Sequence, residues 1–215
     1  MKNDITELVF ILDRSGSMSG LERDTIGGFN AMLKTQAEEP GQALVNTVLF
    51  NSDSVVIHDR VPLDKVEPMT GRQYRVGGCT ALLDAVGGAI RHIGNVHKYA
   101  REEDRPGKTL FIITTDGMEN ASRNYSYGRV KSMIEHQKEI YGWEFLFLGA
   151  NMDAISAAGR FGIRAERAVR YAPDSAGTAL NFSVVSDTVA HFRASRQIDE
   201  NWAAPIAADY RKRGK

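Results

Sequence analysis

The residues best suited to chemistry begin directly after the first apolar run of the chain. Asp13, Ser15 and Ser17 occupy alternate positions in the segment Asp13-Arg14-Ser15-Gly16-Ser17. Because Gly16 lets the backbone turn tightly, one carboxylate and two hydroxyls can point to the same side of the turn. These groups offer only hard oxygen atoms, which are the ligands that Mg²⁺ prefers. An alternative is that Asp13 and the serines cap the helix that follows.

Two further loops carry oxygen donors at the ends of predicted elements. Gly77-Gly78-Cys79-Thr80 precedes a predicted helix, for which Thr80 is expected to be the N-cap. Thr114-Thr115-Asp116-Gly117 follows a predicted strand. Each loop has an ordinary structural explanation when taken alone. Three oxygen-bearing loops at the ends of strands or the starts of helices together indicate a shared site.

Three residues next to these loops could have functional roles, but structural roles are the favoured interpretation. Cys79 could be a redox-sensitive gate beside Thr80, but a small packed side chain is the favoured interpretation. Glu119 and Asn120 could contact a partner at the rim of the site. Capping or solvated loop roles are the favoured interpretation for both.

The elements that must position these loops alternate along the chain. Continuous apolar runs predict strands buried on both faces, and a weaker run after a turn predicts an antiparallel edge strand. The buried strands are Leu8–Leu12, Ala43–Phe50, Leu110–Thr114 and Phe145–Leu148, and the edge strand is Val55–His58. Helical periodicity predicts helices around Leu21–Leu33, Leu83–His97, Ser126–Gln137 and Ser175–Ser195, with a short one after Asn151.

This alternation predicts an α/β fold: a doubly wound, mostly parallel central sheet with one antiparallel edge strand and helices on both faces. In such sheets the ligand site lies at the carboxyl ends of the strands. We expect one domain over residues 1–198, followed by a tail, residues 199–215, whose packing the sequence does not predict. Arg211-Lys212-Arg213 in that tail is expected to be solvated.

The three loops together resemble the von Willebrand factor A (VWA) domain family. The shared features are Asp13-x-Ser15-x-Ser17, then Thr80 before a helix, then Asp116-Gly117 after a strand. All five positions of that family's metal-ion-dependent adhesion site are present, in the family's order. The resemblance covers about residues 7–195 and is closer to bacterial intracellular stand-alone members than to integrin inserted domains.

The resemblance implies a Rossmann-like fold and a bound Mg²⁺ ion, with Mn²⁺ or Ca²⁺ as alternatives. Ser15, Ser17 and Thr80 would supply hydroxyl ligands, while Asp13 and Asp116 would bind the ion directly or hold its waters. An ion held mostly by neutral hydroxyls keeps much of its charge and can accept an Asp or Glu of a protein partner. The implied function is a non-enzymatic adaptor or subunit, whose partner could be an ATPase or another enzyme encoded nearby.

Two other functions remain open. Gly16-Ser17-Met18-Ser19-Gly20 matches the nucleophile elbow of serine hydrolases, with Ser19 as nucleophile and His191 as a candidate triad member. Against this, the motif starts late after its strand, and no earlier strand supplies a second oxyanion donor. A structural subunit whose metal only fastens the loops together is the other alternative.

Composition narrows the remaining classes of function. The 215 residues include 27 Lys and Arg against 27 Asp and Glu, so the formal charge is +0. This balance argues against a nucleic-acid binder. The single cysteine excludes an internal disulfide and a cysteine-based zinc site. No apolar run is long enough to cross a membrane, and a cytoplasmic location is the expectation.

Overall fold

The computed structural model describes residues 4–150 and 153–214, and its centre is a six-stranded sheet. The strands are β1 (Thr6–Asp13), β2 (Ala43–Phe50), β3 (Ser54–Pro62), β4 (Lys108–Thr115), β5 (Glu144–Gly149) and β6 (Ala168–Arg170). They lie in the order β3-β2-β1-β4-β5-β6. All neighbouring pairs are parallel except β2 with β3, which is antiparallel. The predicted sheet class and its antiparallel edge strand are confirmed.

Within the described ranges, six α-helices cover the sheet. They are α1 (Glu22–Glu38), α2 (Leu82–Tyr99), α3 (Tyr127–Tyr141), α4 (Ala154–Arg160), α5 (Ser175–Ser195) and α6 (Ala204–Lys212). Alternate residues of a strand point to opposite faces, so the apolar side chains of β1 divide between two cores. Leu8 and Phe10 pack with α1, α5 and α6, whereas Val9 and Ile11 pack with α2, α3 and α4. The chain is therefore a three-layer α/β structure.

The ends of the predicted helices are set by local signals in several places. Ser126 caps α3 by accepting a hydrogen bond from the Arg129 amide, and Gly142 ends that helix in the left-handed conformation, with φ of 67°. The predicted helix around Ser126–Gln137 is therefore present, with its start at the expected place. The short helix after Asn151 begins at Ala154, and Asn151 itself lies outside the described residues.

The tail, whose packing the sequence does not predict, lies against the domain. Trp202 and Ile206 are buried in the core beside α5, and their burial holds helix α6 against the domain. Arg213 forms ion pairs with Asp174 at 2.6 Å and with Asp209 at 2.9 Å. The expectation for the Arg211-Lys212-Arg213 cluster is therefore wrong for Arg213, since the end of the chain packs back onto the helix layer.

The strand β6 is the other element that the sequence did not predict. It is three residues long, and among the described residues it pairs with β5 alone, through Phe147, Leu148 and Gly149. No helix among the described residues is long and apolar enough to span a membrane.

Candidate metal centre

The three loops meet at the carboxyl ends of β1 and β4. These two strands are neighbours, and the chain leaves them toward opposite sides of the sheet, because β2 lies beyond β1 and β5 beyond β4. Such a switch in strand order leaves a crevice between the two loops. Asp13 is the last residue of β1 and Thr115 the last residue of β4. The topology therefore brings Asp13 and Asp116 to the same place from 103 positions apart in the sequence.

The first loop folds around the carboxylate of Asp13. The Ser15 amide donates a hydrogen bond of 2.7 Å to Asp13 Oδ1. The hydroxyls of Ser15 and Ser17 lie 3.1 Å apart, so they face the same side of the turn, as predicted. Neither serine nor Asp13 caps α1, whose N-cap is Leu21 without a side-chain hydrogen bond. The capping alternative for this loop is wrong.

The third loop joins the first through hydrogen bonds of side chains. Thr115 Oγ1 donates a hydrogen bond of 2.6 Å to Asp13 Oδ2. The Ser17 hydroxyl donates to Asp116 Oδ1. The two aspartates are thus linked to the same serine-containing turn, one through the backbone and the other through the Ser17 side chain.

The second loop completes the cluster at Gly117. A Cβ atom built on Gly117 would lie 2.8 Å from Thr80 Oγ1, 3.4 Å from Ser17 Oγ and 3.7 Å from Ser15 Oγ. The three hydroxyls therefore lie within 3.7 Å of one point, and the shortest of these distances is closer than a real Cβ could approach. Only a glycine at position 117 leaves this space open.

Thr80 is not the N-cap that the sequence predicted. Ala81 occupies the N-cap position of α2 and makes no side-chain cap. Glu119 instead accepts a hydrogen bond of 2.8 Å from the Leu83 amide in the first turn. Because another carboxylate satisfies the helix start, the Thr80 hydroxyl is not used as a cap and can face the cluster.

The two rim residues considered in the sequence hold the second and third loops together. Asn120 Oδ1 accepts a hydrogen bond of 2.9 Å from the Thr80 backbone amide. The backbone amide of Asn120 in turn donates a hydrogen bond of 3.0 Å to the Thr80 carbonyl. Glu119 also accepts hydrogen bonds from the amides of Ala121 and Ser122. The capping interpretation of Glu119 is confirmed. The hydrogen bond from Thr115 to Asp13 was not predicted, although Thr115 lies directly before Asp116 in the third loop.

The two carboxylates of this cluster are buried without a positively charged partner among the described residues. Asp13 and Asp116 are each only 2% exposed. Burial raises the pKa of both carboxyls above the usual range, against the opposing effect of hydrogen bonds from Thr115 and Ser17. Asp116 Oδ2 is buried without any hydrogen-bond partner. No ion pair with either aspartate occurs in residues 4–150 and 153–214.

A divalent cation fits this arrangement. The orphaned oxygen of Asp116 and three hydroxyls around one point are a hard oxygen donor set, which suits Mg²⁺ better than softer metals. Within the described part of the chain, no group of three or more His, Cys, Asp or Glu side chains is placed to hold a metal. Metal binding at this cluster would therefore depend on the hydroxyls of Ser15, Ser17 and Thr80.

The residues of the hydrolase alternative are not brought together. Ser19 is exposed beside the first turn after β1. The start of α5 lies near the start of α1, since Ser175 Oγ donates to Asp24 Oδ1 at 3.0 Å. His191 lies roughly 24 Å further along α5 at the rise of an α-helix, and it is exposed. It cannot serve as the base for Ser19.

Solved structures share this fold at low sequence identity. The chain superposes on proximal thread matrix protein 1 from the mussel byssus with a TM-score of 0.57, at 13% identity over 88% of this chain and 48% of that one. A von Willebrand factor type A structure from Catenulispora acidiphila gives 0.54, at 14% identity over 86% and 42%. The ArnB paralog VWA2 from Sulfolobus acidocaldarius gives 0.51, at 16% identity over 88% and 45%.

These similarities concern the fold. The chain spans about half the length of the solved structures that it matches. A further structure of the mussel protein, with a TM-score of 0.57 and 14% identity over 88% of this chain and 47% of that one, is described as having a zinc-occupied MIDAS motif. No protein-family model and no curated protein matches the sequence. The sheet order, the helix layers and these superpositions together identify the fold as that of the von Willebrand factor A domain.

Proposed function

We propose that this protein is a metal-dependent protein-binding module. The observation that carries the proposal is the convergence of the Ser15, Ser17 and Thr80 hydroxyls on one point beside the unpartnered Oδ2 of Asp116. In this proposal the three hydroxyls and the two aspartates hold Mg²⁺. Mn²⁺ or Ca²⁺ are the alternatives. When bound, the ion supplies positive charge and an open coordination position to an incoming oxygen ligand.

The geometry suits recognition of an acidic side chain. Ser17 is exposed while Ser15, Thr80, Asp13 and Asp116 are buried, so a ligand from a partner would reach the cluster from the Ser17 side. If the neutral hydroxyls bind the cation directly and the aspartates hold its waters, the charge of the cation is incompletely neutralised, which favours an Asp or Glu from a partner. The zinc-occupied motif of the structurally similar mussel protein supports a divalent ion at this end of the sheet.

The rim of the cluster offers an apolar contact to the same partner. Met118 follows Gly117 directly and is 70% exposed. An exposed methionine adapts its shape to different apolar groups. We therefore expect the acidic residue of the partner to be flanked by an apolar side chain. The proposal includes a role as an adaptor or subunit in the cytoplasm. Its partner in that role is an ATPase or another enzyme encoded nearby.

The first test measures metal binding and its dependence on one hydroxyl. Mg²⁺ titration by calorimetry is expected to show one site in the wild-type protein and a loss of affinity of about tenfold or more in Thr80→Val. Thr109→Val is a matched control, because Thr109 is similarly buried but lies at the opposite end of β4. Equal affinities for the three proteins would overturn the proposal.

The second test distinguishes recognition from a metal that only fastens the loops. Water-proton relaxation by bound Mn²⁺ is recorded while a short peptide with one glutamate is added, and again with the glutamine version. A fall in relaxivity with the glutamate peptide alone supports an open position for an acidic ligand. No fall with either peptide, together with a lower melting temperature in chelator, favours the structural alternative.

A further inference from the structure

A groove separates the carboxyl-terminal half of α2 from most of the length of α3. It has a volume of about 1290 Å³, and its walls come from residues 90–98 of α2 and 129–141 of α3. Trp143, at the start of β5, and Thr109, at the start of β4, lie at its base. The groove is therefore at the amino ends of the strands, whereas the candidate metal centre is at their carboxyl ends.

Cations line this groove on both walls. They are Arg91 and Lys98 from α2, Arg129 from α3, and Arg105 and Arg196 from the adjoining loops, whereas Glu102 is the single carboxylate in the lining. None of the five forms an ion pair with a carboxylate among the described residues. Since the whole chain has a formal charge of +0, this groove is a local excess of positive charge.

Apolar side chains lie between these cations. Ile140 is 63% exposed and Tyr141 is 53% exposed, both in the last turn of α3. Met133 lies about two turns earlier on the same wall and is partly buried. Large apolar residues in exposed, contiguous positions with a charged rim are typical of protein interaction sites.

We propose that this groove binds an acidic amphipathic helix of a protein partner. The carboxylates of such a helix face Arg91 and Arg129 on the two walls, and its apolar side packs on Met133 and Ile140. Residues 129–141 extend over about 18 Å of helix, which corresponds to a bound helix of roughly twelve residues. The interaction needs no metal, since none of these groups belongs to the candidate metal centre.

A protein helix suits the groove better than a nucleic acid. The exposed ring of Tyr141 already makes an edge-to-face contact with His136, and Trp143 is 4% exposed, so the face of its indole ring is not available for stacking with bases. The ring is occupied by its neighbours, because it stacks on Phe111 and meets His97 edge to face. The exposed aliphatic surface of Ile140 instead matches an apolar helix face.

The experiment uses a defined helical probe in the presence of EDTA. The probe is a fluorescein-labelled, hydrocarbon-stapled 12-residue peptide with leucines on one face and glutamates on the other. Its comparison peptide has glutamine at every glutamate position. Fluorescence anisotropy is measured for wild type, for Arg91→Glu with Arg129→Glu, and for a control with the same charge change on α1, Arg23→Glu with Lys34→Glu. Both control residues are exposed, and α1 lies on the other face of the sheet.

We expect the glutamate peptide to bind the wild-type protein. Its affinity should be about tenfold or more lower in the groove variant and unchanged in the α1 variant. Weaker binding at higher salt is also expected. Arg91→Gln with Arg129→Gln provides a milder variant whose folding is checked by circular dichroism. The proposal is overturned if the groove variants bind like wild type, if the glutamine peptide binds equally well, or if a dT12 oligonucleotide binds more tightly.

Because EDTA removes divalent ions, this result is independent of the proposed function. Loss of groove binding leaves the metal titration unaffected, and loss of metal binding leaves the anisotropy unaffected.

Discussion

Thr115 Oγ1 donates a hydrogen bond of 2.6 Å to Asp13 Oδ2, so the last residue of β4 fixes the carboxylate at the end of β1. The other oxygen of that carboxylate accepts from the Ser15 amide. With both oxygens held, the orientation of Asp13 is set before any cation arrives. A preoriented donor set loses less conformational entropy when it binds.

Removal of the Thr115 hydroxyl is expected to weaken metal binding without unfolding the protein. Thr115→Val keeps the shape of the side chain but frees Asp13 Oδ2, and groups that orient metal ligands contribute about 10- to 100-fold to affinity. Mg²⁺ titration by calorimetry measures the change, with Thr109→Val on the same strand as control. Unchanged affinity in Thr115→Val would show that Asp13 is oriented without this hydrogen bond.

Asn120 is expected to act on the same site through the backbone of Thr80. Its side-chain oxygen accepts from the Thr80 amide at 2.9 Å, so Asn120→Ala releases the second loop. We expect a severalfold weaker affinity for Mg²⁺, with Asn95→Ala on the exposed face of α2 as control. An affinity equal to that of the control variant would contradict this role.

Neutralising Asp116 is expected to stabilise the metal-free protein. Burial leaves Asp116 Oδ2 without a partner, so Asp116→Asn removes a buried charge while the amide oxygen can still accept from Ser17. In EDTA at pH 7 the free energy of unfolding should rise by about 1 kcal/mol. In saturating Mg²⁺ the order should reverse, with wild type the more stable. Urea denaturation under both conditions measures this, and a less stable Asp116→Asn in EDTA would contradict it.

The same burial gives the metal-free protein a defined pH dependence. The pKa values of Asp13 and Asp116 are raised in the folded state above the value of 3.8 for an unfolded chain. At a pH above 3.8, the folded protein therefore binds more protons than the unfolded chain. The contribution of these groups to stability is therefore fully present below that value and falls as the pH rises through the raised pKa values. In EDTA, the free energy of unfolding of Asp116→Asn should fall less steeply with rising pH than that of wild type. Urea denaturation at a series of pH values above 3.8 measures both slopes. A slope equal to that of wild type would count against the raised pKa of Asp116.

A second buried carboxylate should matter for stability alone. Glu7 is fully buried and accepts hydrogen bonds from Asn46 at 2.6 Å, from Arg60 at 3.1 Å and from His97 at 3.1 Å. Glu7→Ala leaves these donors without their acceptor, and the expected loss is about 3–5 kcal/mol. Urea denaturation measures it.

The control is Asp104→Ala, whose exposed ion pair with Arg101 at 2.7 Å should contribute less than about 1 kcal/mol. Mg²⁺ affinity should stay at the wild-type value in Glu7→Ala at low denaturant, because Glu7 lies at the other end of β1 from Asp13.

Local patterns were enough to predict the central sheet and the loops of the candidate site. Strands β1, β2, β4 and β5 are apolar on both faces, and this signal is independent of their partners. The alternation of strands and helices then places Asp13 and Asp116 at the same edge. In contrast, β6 has only three residues, and α6 is fixed by the burial of Trp202 and Ile206, which depends on contacts distant in the sequence.

The error at Thr80 has the same origin. A threonine before a helix is a common N-cap, but here the first turn of α2 is satisfied by Glu119, which lies 36 residues away from Leu83. Likewise, the part played by Thr115 depends on its contact with Asp13, 102 residues away. Sequence spacing identified the donor types, whereas their hydrogen-bond partners are set by the tertiary structure.

The most direct test of the central claim is a crystal structure of the protein soaked in Mn²⁺, with anomalous scattering recorded. One anomalous peak is predicted among the side chains of Ser15, Ser17 and Thr80, and this peak should be missing when Ser17→Ala and Thr80→Val are combined. A map without a peak at that position under saturating Mn²⁺, or a peak of equal height in the double variant, would contradict the account.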